Sequence, residues 1–169
     1  MSNELKTNMP HIIIDGYNYL HRIRSSGMQD GSNLDIQRRY LLEKLVQYKK
    51  QRNVKVTVVF DAYNSFSLNR QRENYKGINV VYSKEHETAD DVIMGWIREK
   101  RSGIVVVSSD RAIIDEAKKY SVAFITPLRM EEAIDGDYPD EEERDTEKKG
   151  NPRRLPKRLR KVKKTIDKI

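Results

Sequence analysis

The chain contains no cysteine. Disulfides, zinc–thiolate centres and cysteine nucleophiles are therefore excluded. Histidine is almost as scarce: His11, His21 and His86 are the full set, and their spacing fits no metal site. Long hydrophobic runs are missing too. No stretch approaches a membrane span, and the opening "MSNELKTNMP" lacks the apolar core of a secretion signal. A cytoplasmic protein without membrane contact is expected. There is no internal repeat, and the first apolar run is followed by a single glycine rather than a Gly-rich turn, so no nucleotide or other small-molecule cofactor is expected.

What remains is polar. Of 169 residues, 37% are hydrophobic and 35% charged, which leaves part of the chain outside any core. The net charge of +7 is unevenly spread. Residues 1–134 carry 21 basic and 17 acidic side chains, residues 135–149 carry 3 and 8, and residues 150–169 carry 9 and 1. The charge balance therefore divides the chain: a mildly basic body over 10–134, an acidic linker over 135–152 that reads as disordered, and a basic tail over 153–169. The tail can form a helix with Leu155, Leu159, Val162, Ile166 and Ile169 as a thin apolar stripe.

Within the body, short β-branched runs alternate with helical stretches. "HIII" (11–14), "VKVTVVF" (54–60), "INVVY" (78–82), "IVVVSS" (104–109) and "VAFI" (122–125) read as strands. Residues 34–51 predict an amphipathic helix with Tyr40, Leu41, Leu45 and Tyr48 on one stripe. Residues 88–100 predict another, with Val92, Ile93, Trp96 and Ile97 inward. Residues 110–120 form a third, and Pro127 sits at N1 of a short last helix. Residues 62–77 show no strong period and read as a loop or short helix. The alternation and the nearly continuous apolar strands predict an α/β fold with a mainly parallel sheet covered on both faces.

Three strands run straight into an aspartate: Asp15, Asp61 and Asp110. In a parallel sheet these gather on the C-terminal edge, where α/β proteins build their sites. The stretch "ETADD" (87–91) starts a helix from that edge and adds Asp90 and Asp91. Clustered carboxylates repel and raise one another's pKa unless a cation neutralises them. Oxygen ligands without His or Cys favour Mg²⁺ or Mn²⁺. The implied chemistry is metal-assisted attack of water on a phosphodiester. Each acid also has a plain structural reading. Asp110 can cap a helix, Asp61 can close a turn, and Thr88 with Asp91 makes a capping box, which leaves Asp90 without a structural duty.

Other polar residues line the same edge. Asn18 suits a water- or phosphate-orienting amide, or a turn. Gly16 reads as the residue that lets the chain turn sharply. Ser108 and Ser109 offer phosphate contacts or ordinary caps. Lys84, Arg111, Arg22, Arg70 and Arg72 are candidate phosphate contacts against a default of solvated charge. In the tail, Arg153, Arg154, Lys157, Arg158 and Arg160 are candidate RNA contacts.

"IIIDGYN", "VVFDAY", "KEHETADDVI" and "VVVSSDR", in that order and spacing, resemble the NYN domain, a branch of the PIN-like nuclease superfamily, and within it the bacterial YacP type of ribosome-associated endoribonuclease. These motifs span residues 10–134; the C-terminal segment carries none of the likeness. The resemblance implies a three-layer α/β/α fold and metal-dependent RNA cleavage by an acid cluster, with RNA, and further the ribosome, as partner. Asp15, Asp90 and Asp110 fall on the acid positions, Asp91 on the neighbouring helix acid and Asn18 on the motif amide. Asp61 matches the acid of "FDA", a ligand or a support of one. Ser108 stands where threonine is common.

Two other classes stay open: an idle RNA-binding or adaptor module, and a PIN-like nuclease acting on DNA. A haloacid-dehalogenase-like phosphatase needs a second aspartate two residues after the first, and Tyr17 stands there.

Overall fold

A computed structural model describes residues 9–23, 33–62, 67–99 and 103–136. The acidic linker beyond residue 136 and the basic tail, with Arg153, Arg154, Lys157, Arg158 and Arg160, lie outside the described residues.

The elements are β1 (His11–Asp15), α1 (Gly16–Ile23), α2 (Leu34–Gln51), β2 (Lys55–Phe60), β3 (Gln71–Tyr75), β4 (Ile78–Tyr82), α3 (Ala89–Arg98), β5 (Ile104–Val107), α4 (Arg111–Lys119), β6 (Ala123–Ile125) and α5 (Pro127–Asp135). They build one six-stranded sheet in the order β3-β4-β2-β1-β5-β6. All neighbours are parallel except β3 with β4.

The strands are continuously apolar because both faces are covered. Ile12 and Ile14 point into a cluster with α1, α2 and α5, while Ile13 points into another with α3 and α4. Val58 and Val59, and Val105 and Val106, divide in the same way. The result is the three-layer α/β/α arrangement expected from the sequence. Val92, Ile93, Trp96 and Ile97 are buried as predicted, as are Leu41, Leu45 and Tyr48. Tyr40 is not. It lies exposed on the outer flank of α2, beside the Lys44 ammonium. No described helix is long and apolar enough to cross a membrane.

The segment read as a loop or short helix holds β3. Its residues QRENY are almost all exposed, so no apolar alternation marks them. The strand forms because Lys76 and Gly77, both at positive φ, turn the chain back onto β4. The last helix also runs one residue past the expected body, to Asp135, and ends at Gly136 in the left-handed conformation.

From β1 the chain builds β2, β4 and β3 to one side, then crosses to place β5 and β6 on the other. The strand order thus reverses at β1, and the crevice at its C-terminal end is where such sheets bind ligands. Asp15 is the last residue of that strand.

Candidate active site

Helix α1 begins at Gly16, directly after Asp15. Gly16 does not need a positive φ. What it supplies is room: a Cβ there would lie 2.3 Å from the Phe60 ring, which is itself fully buried. The glycine read as a turn residue is therefore a contact residue. It lets the ends of β1 and β2 close up, so that Asp15 and Asp61, each next to one member of the contact, share one edge.

Asp15 is only 4% exposed. It accepts hydrogen bonds from the Asn18 N–H at 3.4 Å and the Ser108 hydroxyl at 3.3 Å. Burial, and then the charge of Asp90, push its pKa up from 3.8 to about 7. Asp90, in the first turn of α3, is close enough to share a hydrogen bond with Asp15. Its own pKa is raised, first by burial and then by Asp110 and Asp61. Four of the predicted acids thus act on one another across the ends of β1, β2 and β5 and the start of α3.

The flanking acids have structural bonds as well. One oxygen of Asp61 accepts the Ala89 N–H at 2.7 Å, which ties β2 to the start of α3. One oxygen of Asp110 accepts the N–H groups of Ala112 and Ile113 at 2.8 and 3.3 Å, capping α4. In both residues the capping duty uses Oδ1 and the residue still contributes charge to Asp90. The cap and the cluster are compatible.

Asp91 is different. Its Oδ2 accepts from the Thr88 N–H at 3.0 Å and the Thr88 hydroxyl at 2.9 Å, and the Asp91 N–H donates back to Thr88 at 3.1 Å. This is a complete capping box, and it holds the Asp91 pKa below the usual carboxylate range. Named from the sequence as a catalytic candidate, Asp91 faces its own helix end, and its effect on Asp90 is the weakest of the neighbouring charges.

Asn18 is half-buried. Its Oδ1 accepts the Ser109 N–H at 2.9 Å and the Ser109 hydroxyl at 3.0 Å. It thereby clamps α1 to the β5–α4 turn, with Asp15 between them. Ser108, named as an RNA contact, is corrected by the structure. It is 1% exposed, and its hydroxyl donates to Asp15 while accepting the Asp110 N–H at 3.0 Å. It braces the acids from below. Lys84 and Arg111 are exposed near the edge. Sequence reasoning missed the role of Glu87, which binds Arg70 through both oxygens at 2.6 and 2.9 Å and fastens the start of β3 to the loop before α3.

Among the described residues, no three His, Asp or Glu side chains converge closely enough to hold a metal alone. The set still fits a hard cation. Mg²⁺ is commonly held by one or two carboxylates plus waters and substrate phosphates, not by a full protein cage. A buried Asp15 and a half-buried Asp90 that repel each other, flanked by Asp61 and Asp110, offer that.

The model of the YacP-like NYN domain matches residues 12–168. The chain belongs to the YacP-like NYN domain family. The match runs on through the acidic and basic segments, further than the motifs alone carried the likeness. The uncharacterized protein YacP of Bacillus subtilis (strain 168) is 29% identical over 85 residues, covering 50% of this chain and 49% of that protein. The alignment spans about half the length of that relative. Two crystal structures of Rae1 (YacP) from Bacillus subtilis, one of them a mutant, superpose with TM-scores of 0.59 and 0.58. They are 23% and 24% identical, over 76% of this chain and 79% and 77% of theirs. That likeness concerns the fold. Membership of the NYN family supports a nuclease-like, RNA-related function.

Proposed function

We propose that this NYN domain is an endoribonuclease that hydrolyses RNA phosphodiesters with Mg²⁺ or Mn²⁺ in a cytoplasmic setting, with ribosome-associated mRNA as its substrate. The observation that carries the proposal is the convergence of Asp15, Asp61, Asp90 and Asp110 on the C-terminal edge, with Asp15 buried and pushed up to about 7.

Asp15, Asp90 and Asp110 would hold the ion directly or through water, with Asp61 as a further ligand or support. When bound, the ion offsets the acids and lowers the pKa of a coordinated water. Asn18 keeps the β5–α4 turn against α1, so that Asp110 and Asp15 hold their spacing. The Asp91 capping box fixes the start of α3 and with it the position of Asp90. Lys84, Arg111 and Ser109 lie where the flanking RNA backbone would pass. Cleavage leaves a 5′-phosphate and a 3′-hydroxyl.

An idle RNA-binding module is the rival. It is disfavoured because unpaired acids facing a phosphate backbone weaken binding and serve nothing else. The deciding experiment is cleavage of matched RNA and DNA oligonucleotides with Mg²⁺ or Mn²⁺, with EDTA, and with the Asp90→Asn protein. Metal-dependent cutting of RNA, absent with Asp90→Asn, is the expected outcome. Full activity in EDTA, or cyclic-phosphate products, would overturn it.

A further inference from the structure

We infer that Arg22 forms a phosphate-binding subsite on the rim of the acid edge, gripping the RNA backbone beside the scissile bond. The inference deepens the nuclease reading and rests on it for the identity of the ligand.

Arg22 stands four residues after Asn18 in α1, on the same face of the helix. Its Nε donates to the Ser109 hydroxyl at 2.8 Å. That hydroxyl donates in turn to Asn18 Oδ1 at 3.0 Å, and the Asn18 N–H donates to Asp15 at 3.4 Å. A continuous chain of hydrogen bonds thus runs from the buried acid to an exposed guanidinium. The Ser109 hydroxyl accepts on one side and donates on the other, so its proton has one place to be.

The partner distinguishes Arg22 from four of the other described arginines. Arg38, Arg70, Arg98 and Arg129 hold the carboxylates of Asp35, Glu87, Glu116 and Glu132. Arg22 holds a neutral hydroxyl, so its charge is not cancelled by that partner. Nε is one of five N–H donors, and the two terminal nitrogens form the fork that matches a phosphate. With Nε tied down, the plane of that fork is set before ligand arrives. An acid edge carrying four aspartates repels RNA. A fixed cation joined to the same network lets the strand approach on the side of the β5–α4 turn, leaving the acids to the reacting phosphate. Lysine cannot reproduce this, because it offers a point charge with no planar fork.

Direct binding separates this inference from the nuclease reading. Fluorescence anisotropy of a labelled eight-nucleotide single-stranded RNA is measured with the full chain in EDTA, over a range of salt, for wild type, Arg22→Ala, Arg22→Lys and Ser109→Ala. Arg22→Ala is expected to weaken binding about tenfold for every sequence tried and to reduce the salt slope by about one. Arg22→Lys should restore the slope but only part of the affinity. Ser109→Ala should fall between Arg22→Lys and wild type, with unchanged slope. Unchanged affinity and slope for Arg22→Ala overturn the inference. So does equal loss in Arg22→Ala and Arg22→Lys accompanied by a fall in thermal stability, which marks a purely structural role. A wild-type protein that binds RNA but cuts none with any metal defeats the nuclease reading and leaves the Arg22 comparison intact.

Discussion

At the scale of single residues, Asp15 is held in a state that costs stability. In the metal-free protein its pKa is raised from 3.8 to about 7 by burial and by Asp90. A group whose folded pKa exceeds its unfolded value contributes stability that is complete below the unfolded value, here near 3.8, and is lost as pH rises through about 7. A rise of that size corresponds to roughly 4 kcal/mol against the folded state at pH 8. Asp15→Asn removes the charge but weakens the bonds from Ser108 and Asn18, at about 1 kcal/mol each. The net expectation is a gain of about 2 kcal/mol at pH 8 in EDTA, reversing to a loss of up to about 2 kcal/mol at pH 4, read by urea denaturation. The same substitution should abolish RNA cleavage. A protein that is more stable and inactive is the mark of a functional acid; loss of both stability and activity at pH 8 would mean that Asp15 serves the fold. This contrast was half legible in the sequence. An aspartate closing an apolar strand is visible there, but the partners gathered around it, Ser108 from the β5–α4 turn and Asp90 from α3, are far apart in the chain, and no local pattern encodes their meeting.

At the scale of elements, α3 separates two adjacent acids by duty. Residues i and i+1 of a helix point about 100° apart, so Asp90 and Asp91 cannot both face the crevice. Asp90 takes the crevice and Asp91 the cap. Asp91→Ala should lower stability by about 1 kcal/mol, as loss of a capping partner does, and leave most of the cleavage rate. Asp90→Asn should do the reverse, with stability at pH 8 in EDTA unchanged or raised, because a repelled charge is removed, and no cleavage. Paired denaturation and cleavage assays on the two variants check this; loss of cleavage in Asp91→Ala without loss of stability would return Asp91 to the chemistry. The strand ends, the capping box and the inward face of α3 were all readable from periodicity and spacing. Strand β3 was not. Its exposure removes the alternation that marks strands, and its only signal is the Lys76-Gly77 turn. Ser108 was misread for a related reason, since a serine after a strand looks the same whether it faces solvent or lies beneath two aspartates.

At the scale of the whole molecule, the proposed chemistry and the densest positive charge fall on different parts of the chain. The acid edge belongs to the folded body, and its field repels polyanions. Nine of the 33 basic residues stand in positions 150–169, where one acid accompanies them. Because the family match continues through residue 168, this segment belongs to the YacP-like pattern and is not a stray extension. A dense basic segment binds a phosphate backbone by releasing counterions, so its contribution must fall steeply with salt. Removing residues 150–169 is therefore expected to weaken binding to long RNA at least tenfold in low salt. The difference should close as salt rises, while the rate of cleavage of an eight-nucleotide RNA stays within about twofold. Filter binding over a salt series, run beside short-substrate kinetics, makes the comparison. If truncated and full-length proteins show the same salt slope on long RNA, the body alone carries RNA affinity, and the burden falls back on the cations of the rim, Arg22 first among them.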